Sequence, residues 1–375
     1  MANILILGGG FGGLIAAERL AGRLDSSHQI TLVSPRPKFT FYPALVQTAF
    51  GVIKPDDITF DLTAKLNELG VRFVQGEVVG IDPDARAARV TGEDFEGEIY
   101  YDYLVVAVGR RLATEKVPGF FEHAHHLLGA GAALKFGAAA RNFQSGTIIV
   151  GMCPRARLPV PVCETAFALA RKFKSEIANG KIQIKVVFPE SLEAAFGGAT
   201  LHKELEAAFR RHGINVLYDV PISEISCEEV ISTAKHRIKY DLLMLVPPFQ
   251  GNAMLRSLGA TDEADILRVD GQMRVHGLKK TYAVGDIVAF SGPKFGHMAV
   301  RQGRVAADNI LAEIAGEEPQ AEYYHEINAI IDAGGADSIY LHYGVWDDEI
   351  FALRKGSFWS WAKNVHERFW KARHG

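Results

Sequence analysis

The residues best suited to chemistry gather in one short stretch, Gly151-Met-Cys-Pro-Arg-Ala-Arg-Leu-Pro-Val-Pro-Val-Cys-Glu164. Cys153 and Cys163 could work as a redox pair, because a thiolate at Cys153 would be stabilised by Arg155, Arg157 or a helix N-terminus. The same two residues also suit a core, since free cysteine is among the most buried residue types. Cys227, in Ser223-Glu-Ile-Ser-Cys-Glu228, reads as a strand-edge residue. A second group lies in Pro293-Lys-Phe-Gly-His-Met298. It holds a cation, Lys294, and a group that titrates near neutrality, His297.

Both stretches need elements to position them. Gly146-Thr-Ile-Ile-Val150 is an apolar run that predicts a buried strand, and Thr165-Ala-Phe-Ala-Leu-Ala170 predicts a helix. Strand, turn and helix in that order suggest a nucleotide site. The turn, however, starts at Gly151 and has no second glycine. Cβ atoms and proline rings would crowd a pyrophosphate, and proline removes N–H donors that a phosphate needs. NADH is therefore not expected here in the usual way, although an unusual binding mode stays open.

The N-terminus shows the full pattern. Asn3-Ile-Leu-Ile-Leu7 is rich in β-formers, Gly8-Gly-Gly-Phe-Gly-Gly13 follows, and Leu14-Ile-Ala-Ala-Glu-Arg-Leu20 is helical in pattern. Gly8 allows the tight turn, Gly10 lets backbone approach a pyrophosphate, and Gly13 lets helix pack on strand, with Gly12 in the same loop. After the second strand, Gln29-Ile-Thr-Leu-Val33, the usual ribose-binding acid is replaced by Ser34, with Arg36 nearby. Ser34 can still hydrogen-bond a ribose. Arg36 is either a 2′-phosphate contact or a solvated turn charge.

Two more segments narrow the cofactor. Tyr101-Asp-Tyr-Leu-Val-Val-Ala-Val-Gly109 ends a buried strand in Ala107-Val-Gly109, and Tyr282-Ala-Val-Gly-Asp286 ends in Gly285-Asp286. These resemble the paired motifs of flavoprotein disulfide reductases. The resemblance implies FAD, with Asp286 on its ribityl chain and Val78 near the adenine. It also implies an α/β fold of two Rossmann-like domains. The expected FAD domain is discontinuous, residues 1–110 and 255–330. The second domain is 111–254, and 331–375 forms a C-terminal segment.

Four further segments extend the likeness: Pro35 to Pro43, Leu245-Val-Pro-Pro-Phe-Gln-Gly251, Pro293 to Met298, and a Trp-rich C-terminus. With the turn at Gly151, the chain resembles the group of sulfide:quinone oxidoreductases and flavocytochrome c sulfide dehydrogenases, relatives of type II NADH dehydrogenases. In that group a redox cysteine occupies the turn in a pattern like Cys-x-x-Pro-x-x-Glu. Here Pro161 and Glu164 match, but Leu158 stands at the cysteine position and no cysteine follows Cys227. The resemblance implies that Lys294 and the helix starting near Gly296 stabilise anionic reduced flavin. It places Phe295 and Gln302 on the quinone side, makes His297 a candidate proton carrier, and implies Glu164 as a catalytic candidate; Cys153 and Cys163 stay candidates only as an alternative redox pair.

From Arg354 to Gly375 the chain carries six Lys/Arg and one acid, Glu367. At 100° per residue, Phe358, Trp361, Ala362, Val365 and Phe369 share a helical face, with Trp359 and Trp370 at its edge and Lys363, Arg368 and Lys371 elsewhere. An aromatic face with a basic remainder suits an interfacial helix on anionic lipid. Packing on the protein's own core or a homodimer contact are the alternatives. Composition agrees with a globular chain: 375 residues, 48% hydrophobic, net charge −3 and three cysteines. That small charge points away from nucleic acid, and the cysteine count suits the cytoplasmic side of a membrane. No metal-ligand spacing stands out.

The expected function is an FAD-dependent oxidoreductase, peripheral to the membrane, that passes electrons from sulfide or a related sulfur donor to a quinone. The rivals are a type II NADH:quinone oxidoreductase and a flavin-bearing subunit that exchanges electrons only with a docked partner protein.

Overall fold

The structure is a computed structural model that describes residues 1–93, 95–347 and 351–374. Its first sheet is parallel, in the order Thr281–Ala283, Tyr103–Val106, Asn3–Leu7, Gln29–Ser34, Arg72–Gln75. Ile4 to Leu7 and Leu104 to Val106 are almost fully buried, as expected for a sheet covered on both faces. The strand at residue 281 joins a sheet built from the first 110 residues, so this unit is discontinuous in sequence.

The second sheet is also parallel, in the order Ile214–Leu217, Ile182–Val187, Gly146–Met152, Leu242–Val246. A two-stranded ribbon, Arg111–Leu112 against Phe249–Gln250, forms where the chain leaves and re-enters the first unit. The third sheet is antiparallel: Glu326–Ile331, Ile339–Gly344 and Phe351–Lys355. Strand Glu326–Ile331 therefore belongs with the C-terminal segment, and the expected boundary after residue 330 moves to before Glu326. Only pairing with a strand further along the chain sets that boundary.

Helix Ser357–His374 closes the chain. Phe358, Trp361, Val365 and Phe369 are 43 to 59% exposed. The face expected to be apolar thus points away from the body. Trp370, expected at its edge, is instead buried against Phe11, Phe39 and Phe41 at centroid distances of 5.0, 6.2 and 5.9 Å. One helical position, about 100°, separates Phe369 from Trp370, enough to move a ring from the outer face to the inner one.

Candidate functional site

The N-terminal glycine loop has the geometry that its spacing implies. Gly8 lies at φ +112°, and a Cβ there would come within 2.2 Å of the Ala107 carbonyl oxygen. On Gly13 a Cβ would sit 1.9 Å from the Gly8 oxygen. By contrast, a Cβ on Gly10 would meet nothing within 4 Å. Gly10 is the N-cap of helix Phe11–Ala21, and no side chain caps that end. The result is an open, positively polarised cradle suited to a pyrophosphate.

A second helix start converges on it. Helix Gly296–Ala315 has Phe295 as N-cap and no side-chain cap. The two helices touch closely: a Cβ on Gly303 would lie 2.4 Å from the Gly12 oxygen, and one on Gly296 would lie 3.2 Å from the Phe11 ring. Ser34 is buried, and its Oγ donates to the Arg36 carbonyl at 3.1 Å, while Arg36 is exposed. Val78 is buried at the start of strand Glu77–Asp82. Gly109 and Gly285 both take positive φ, at +66° and +85°.

Several residues are partnered differently from expectation. The Asp286 carboxylate pairs with Arg110, whose guanidinium lies 4.0 Å from the Phe249 ring centre. Gln302, expected on the quinone side, is buried, and its Oε1 accepts from the Gly285 N–H at 2.7 Å. It therefore ties helix Gly296–Ala315 to the Gly285-Asp286 turn. His297, the expected proton carrier, has Nε2 3.1 Å from the Glu326 oxygen and 3.2 Å from the Asn328 nitrogen. Burial pushes its pKa down to about 4, which favours the neutral ring near neutrality. Phe295 stacks on this ring at 5.6 Å. Lys294 is buried, donates to the carbonyls of Val288 and Phe290, and is pulled down to about 7, first by burial and then by Arg157.

The turn after strand Gly146–Met152 is tied down by Arg157 and carries no second glycine. Arg157 donates to Gly292 O at 2.6 Å and to Phe290 O at 2.5 Å, and its own carbonyl accepts from the Lys294 N–H at 2.8 Å. Helix Pro159–Lys172 begins with Pro159 and Pro161, so its first turn lacks two N–H donors. What remains is a cleft of about 480 Å³ lined by Pro154, Arg155, Arg157, Glu190, Phe249 and Asp262.

Cys153 and Cys163 do not meet. Cys153 packs with Ile149, Val187 and Leu245 on one face of the second sheet. Cys163 packs with Ile148, Val150 and Val162 on the other. Both thiols are free and fully buried, and burial drives both pKa values far up. The expected redox pair is not assembled, because Cys163 sits on helix Pro159–Lys172, which packs on the sheet face of Ile148 and Val150, whereas Cys153 shares the opposite face with Ile149.

Glu164 was a catalytic candidate, and its partner was not foreseen. It is buried, receives two hydrogen bonds from Lys363 Nζ, both at 2.6 Å, and accepts from the Asp332 N–H at 2.8 Å. Burial pulls the Lys363 ammonium down, but the facing carboxylates of Glu164 and Glu367 outweigh it and hold it protonated. Sequence reasoning set Lys363 off the aromatic face without a partner. It named Arg157 and Glu367 but not their packing, and it did not single out Arg110. The one sequence sign was that Lys363 and Glu367, four apart on a helix, share a face opposite the aromatic one.

Two dinucleotide-type sheets with one intact glycine cradle define a flavoprotein of the two-domain reductase class. The chain matches the pyridine nucleotide-disulphide oxidoreductase family over residues 2–303 and belongs to it. It is an FAD-dependent oxidoreductase. It is 26% identical to the sulfide-quinone reductase of Aquifex aeolicus, over 100% of this chain and 91% of that protein. The X-ray structure of the sulfide:quinone oxidoreductase from Aquifex aeolicus superposes with TM-score 0.92 at 24% identity, covering 100% of this chain and 91% of the other. A probable mitochondrial NADH-ubiquinone oxidoreductase of Schizosaccharomyces pombe is 28% identical over 83% of this chain and 63% of its own length.

Proposed function

We propose that this chain passes two electrons from a sulfur donor, sulfide or a persulfide, to a membrane quinone, with no protein disulfide in the relay. FAD, when bound, supplies the two-electron carrier. Gly8, Gly10, Gly12, Gly13, Ala107, Gly109 and the start of helix Gly296–Ala315 would hold it, with Ser34, Val78 and Asp286 along its length. Arg36 would reach it only from the exposed rim. The observation that carries the donor assignment is the locked turn at Arg157. It ties the glycine-poor turn to Phe290 and Gly292, beside a cleft in which Arg155 and Arg157 face Glu190 and Asp262, a polar lining with room for a small sulfur donor. The A. aeolicus relative supports sulfide and quinone as the pair of substrates.

The quinone side rests on helix Ser357–His374, whose outward aromatic face suits lipid and whose Trp370 packs on Phe11, the ring that borders Gly296. Among the described residues no helix is long and apolar enough to cross a membrane. Contact with the cytoplasmic surface of the bilayer through this helix is the mode of docking we favour. Glu164, paired with Lys363, would anchor it.

Anaerobic stopped-flow mixing with sulfide, a persulfide, NADH and NADPH tests the donor. Sulfur donors should bleach the flavin at turnover rates, in the wild type and in Cys153→Ala and Cys163→Ala alike, and the pyridine nucleotides should not. Fast bleaching by NADH would favour the rival that the S. pombe relative suggests. Loss of sulfide bleaching in either alanine variant would bring the cysteine relay back.

A further inference from the structure

The inner face of helix Ser357–His374 carries a group that no part of the proposed relay uses. Glu367 is 8% exposed, and both of its carboxylate oxygens are buried with no hydrogen-bond partner among the described residues. Three positions on, the buried indole Nε1 of Trp370 is likewise unpartnered. An ionised carboxylate without hydrogen bonds in such a place costs several kcal/mol, so the group holds its proton instead.

The surroundings say what the proton is for. Lys363 stands one turn before Glu367 on the same face, Glu164 comes from helix Pro159–Lys172, and Asp332 follows strand Glu326–Ile331. Burial is the largest influence on Glu367, with Lys363 opposing it and the two carboxylates adding to it. The carboxyl is raised to about 7. On the Trp370 side lie the rings of Phe11, Phe39 and Phe41, and Phe11 in turn borders Gly296. An apolar acceptor arriving from lipid past Phe358, Trp361 and Phe369 would pass under this helix. There it would meet one neutral carboxyl and one free indole N–H in an aromatic surrounding. His297 is the poorer donor, because burial favours its neutral ring and its Nε2 already lies against the Glu326 oxygen and the Asn328 nitrogen.

We propose that Glu367 is the proton donor for quinone reduction, with Trp370 Nε1 as a hydrogen-bond donor to the quinone oxygen. This rests on the reading that quinone reaches the protein at the C-terminal helix. FAD, when bound and reduced, would supply the quinone with two electrons and one proton. The quinone's second proton comes from Glu367, whose O–H bond breaks as the hydroquinone O–H forms. The products are hydroquinone, oxidised flavin and a Glu367 carboxylate held opposite the Lys363 ammonium. Water returns the proton to the carboxylate.

The test uses the FAD-loaded, detergent-solubilised protein, reduced beforehand with dithionite and then mixed with decylubiquinone or with ferricyanide. Because dithionite replaces the natural donor, the result does not depend on sulfide. In the wild type, reoxidation by the quinone should be flat below pH 7 and fall above it. In Glu367→Gln it should be about a hundredfold slower and lose that inflection. Glu367→Asp should restore part of the rate. Ferricyanide, which takes no protons, should reoxidise all three proteins equally. Infrared pH-difference spectra should show a carboxyl band that titrates near neutrality and disappears in Glu367→Gln. Quinone rates and pH profiles that match in wild type and Glu367→Gln would overturn the proposal. A wild type that ferricyanide reoxidises and quinone does not would instead overturn the quinone reading itself.

Discussion

At the scale of single residues, the glycines separate two requirements that sequence alone merges. Gly13 serves the fold, since its missing Cβ is where the Gly8 carbonyl lies, 1.9 Å from the position a Cβ would take. Gly10 faces open space, so its missing Cβ serves a ligand. Gly13→Ala should therefore lower stability by about 3 kcal/mol or more, because the backbone oxygen cannot move aside. Gly10→Ser should leave stability within about 0.5 kcal/mol, since serine is a good N-cap. It should nonetheless weaken FAD binding at least tenfold by placing a hydroxyl in the cradle. Thermal unfolding of the apoproteins and flavin titration would check the two effects separately. The motif spelled out which glycines matter; which of them touch structure and which touch cofactor came from the carbonyl positions.

At the scale of elements, the C-terminal helix is inverted relative to an ordinary surface helix. Phe358, Trp361 and Phe369 point outward, and Lys363, Glu367 and Trp370 point in. A buried ion pair is a poor source of net stability, but removing one partner leaves the other charge uncompensated. Lys363→Met should thus cost about 3–5 kcal/mol. The double variant Lys363→Met, Glu164→Leu should recover most of that loss. Denaturant unfolding, with limited proteolysis at the C-terminus, measures both. Helical periodicity made this helix and its apolar face legible. It did not reveal that Trp370 and Lys363 are the anchoring residues, because periodicity reports which residues share a face and says nothing of what that face meets. The strand Glu326–Ile331 was misplaced for the same reason, since its partner is a strand further along the chain.

At the scale of the whole molecule, two dinucleotide-type units share a seam closed by Arg157 and overlaid by the C-terminal helix. Phe358, Trp361 and Phe369 are each more than half exposed on one face, the kind of apolar patch that marks an interaction surface. Replacing all three by serine should abolish sedimentation with anionic vesicles and leave thermal unfolding within about 1 kcal/mol, because none of the three is buried in the core. Binding that persists in this variant would point to a second copy of the chain, or another protein, as the partner of that face.

The sequence by itself determined the first nucleotide cradle, the flavin class and the loss of glycines in the second turn. Each is written in residues close together in the chain, where backbone sterics restrict what can stand. It also suggested a cysteine pair, and there the tertiary structure decided otherwise. Cys153 and Cys163 are ten positions apart, yet the sheet lies between them. The contacts Glu164 to Lys363, Arg110 to Asp286 and Arg157 to Phe290 span 199, 176 and 133 residues. No local pattern encodes such pairs. Burial, which no single residue type sets, then shifts each group: it pushes His297 down, both thiols far up and the Glu367 carboxyl up to about 7.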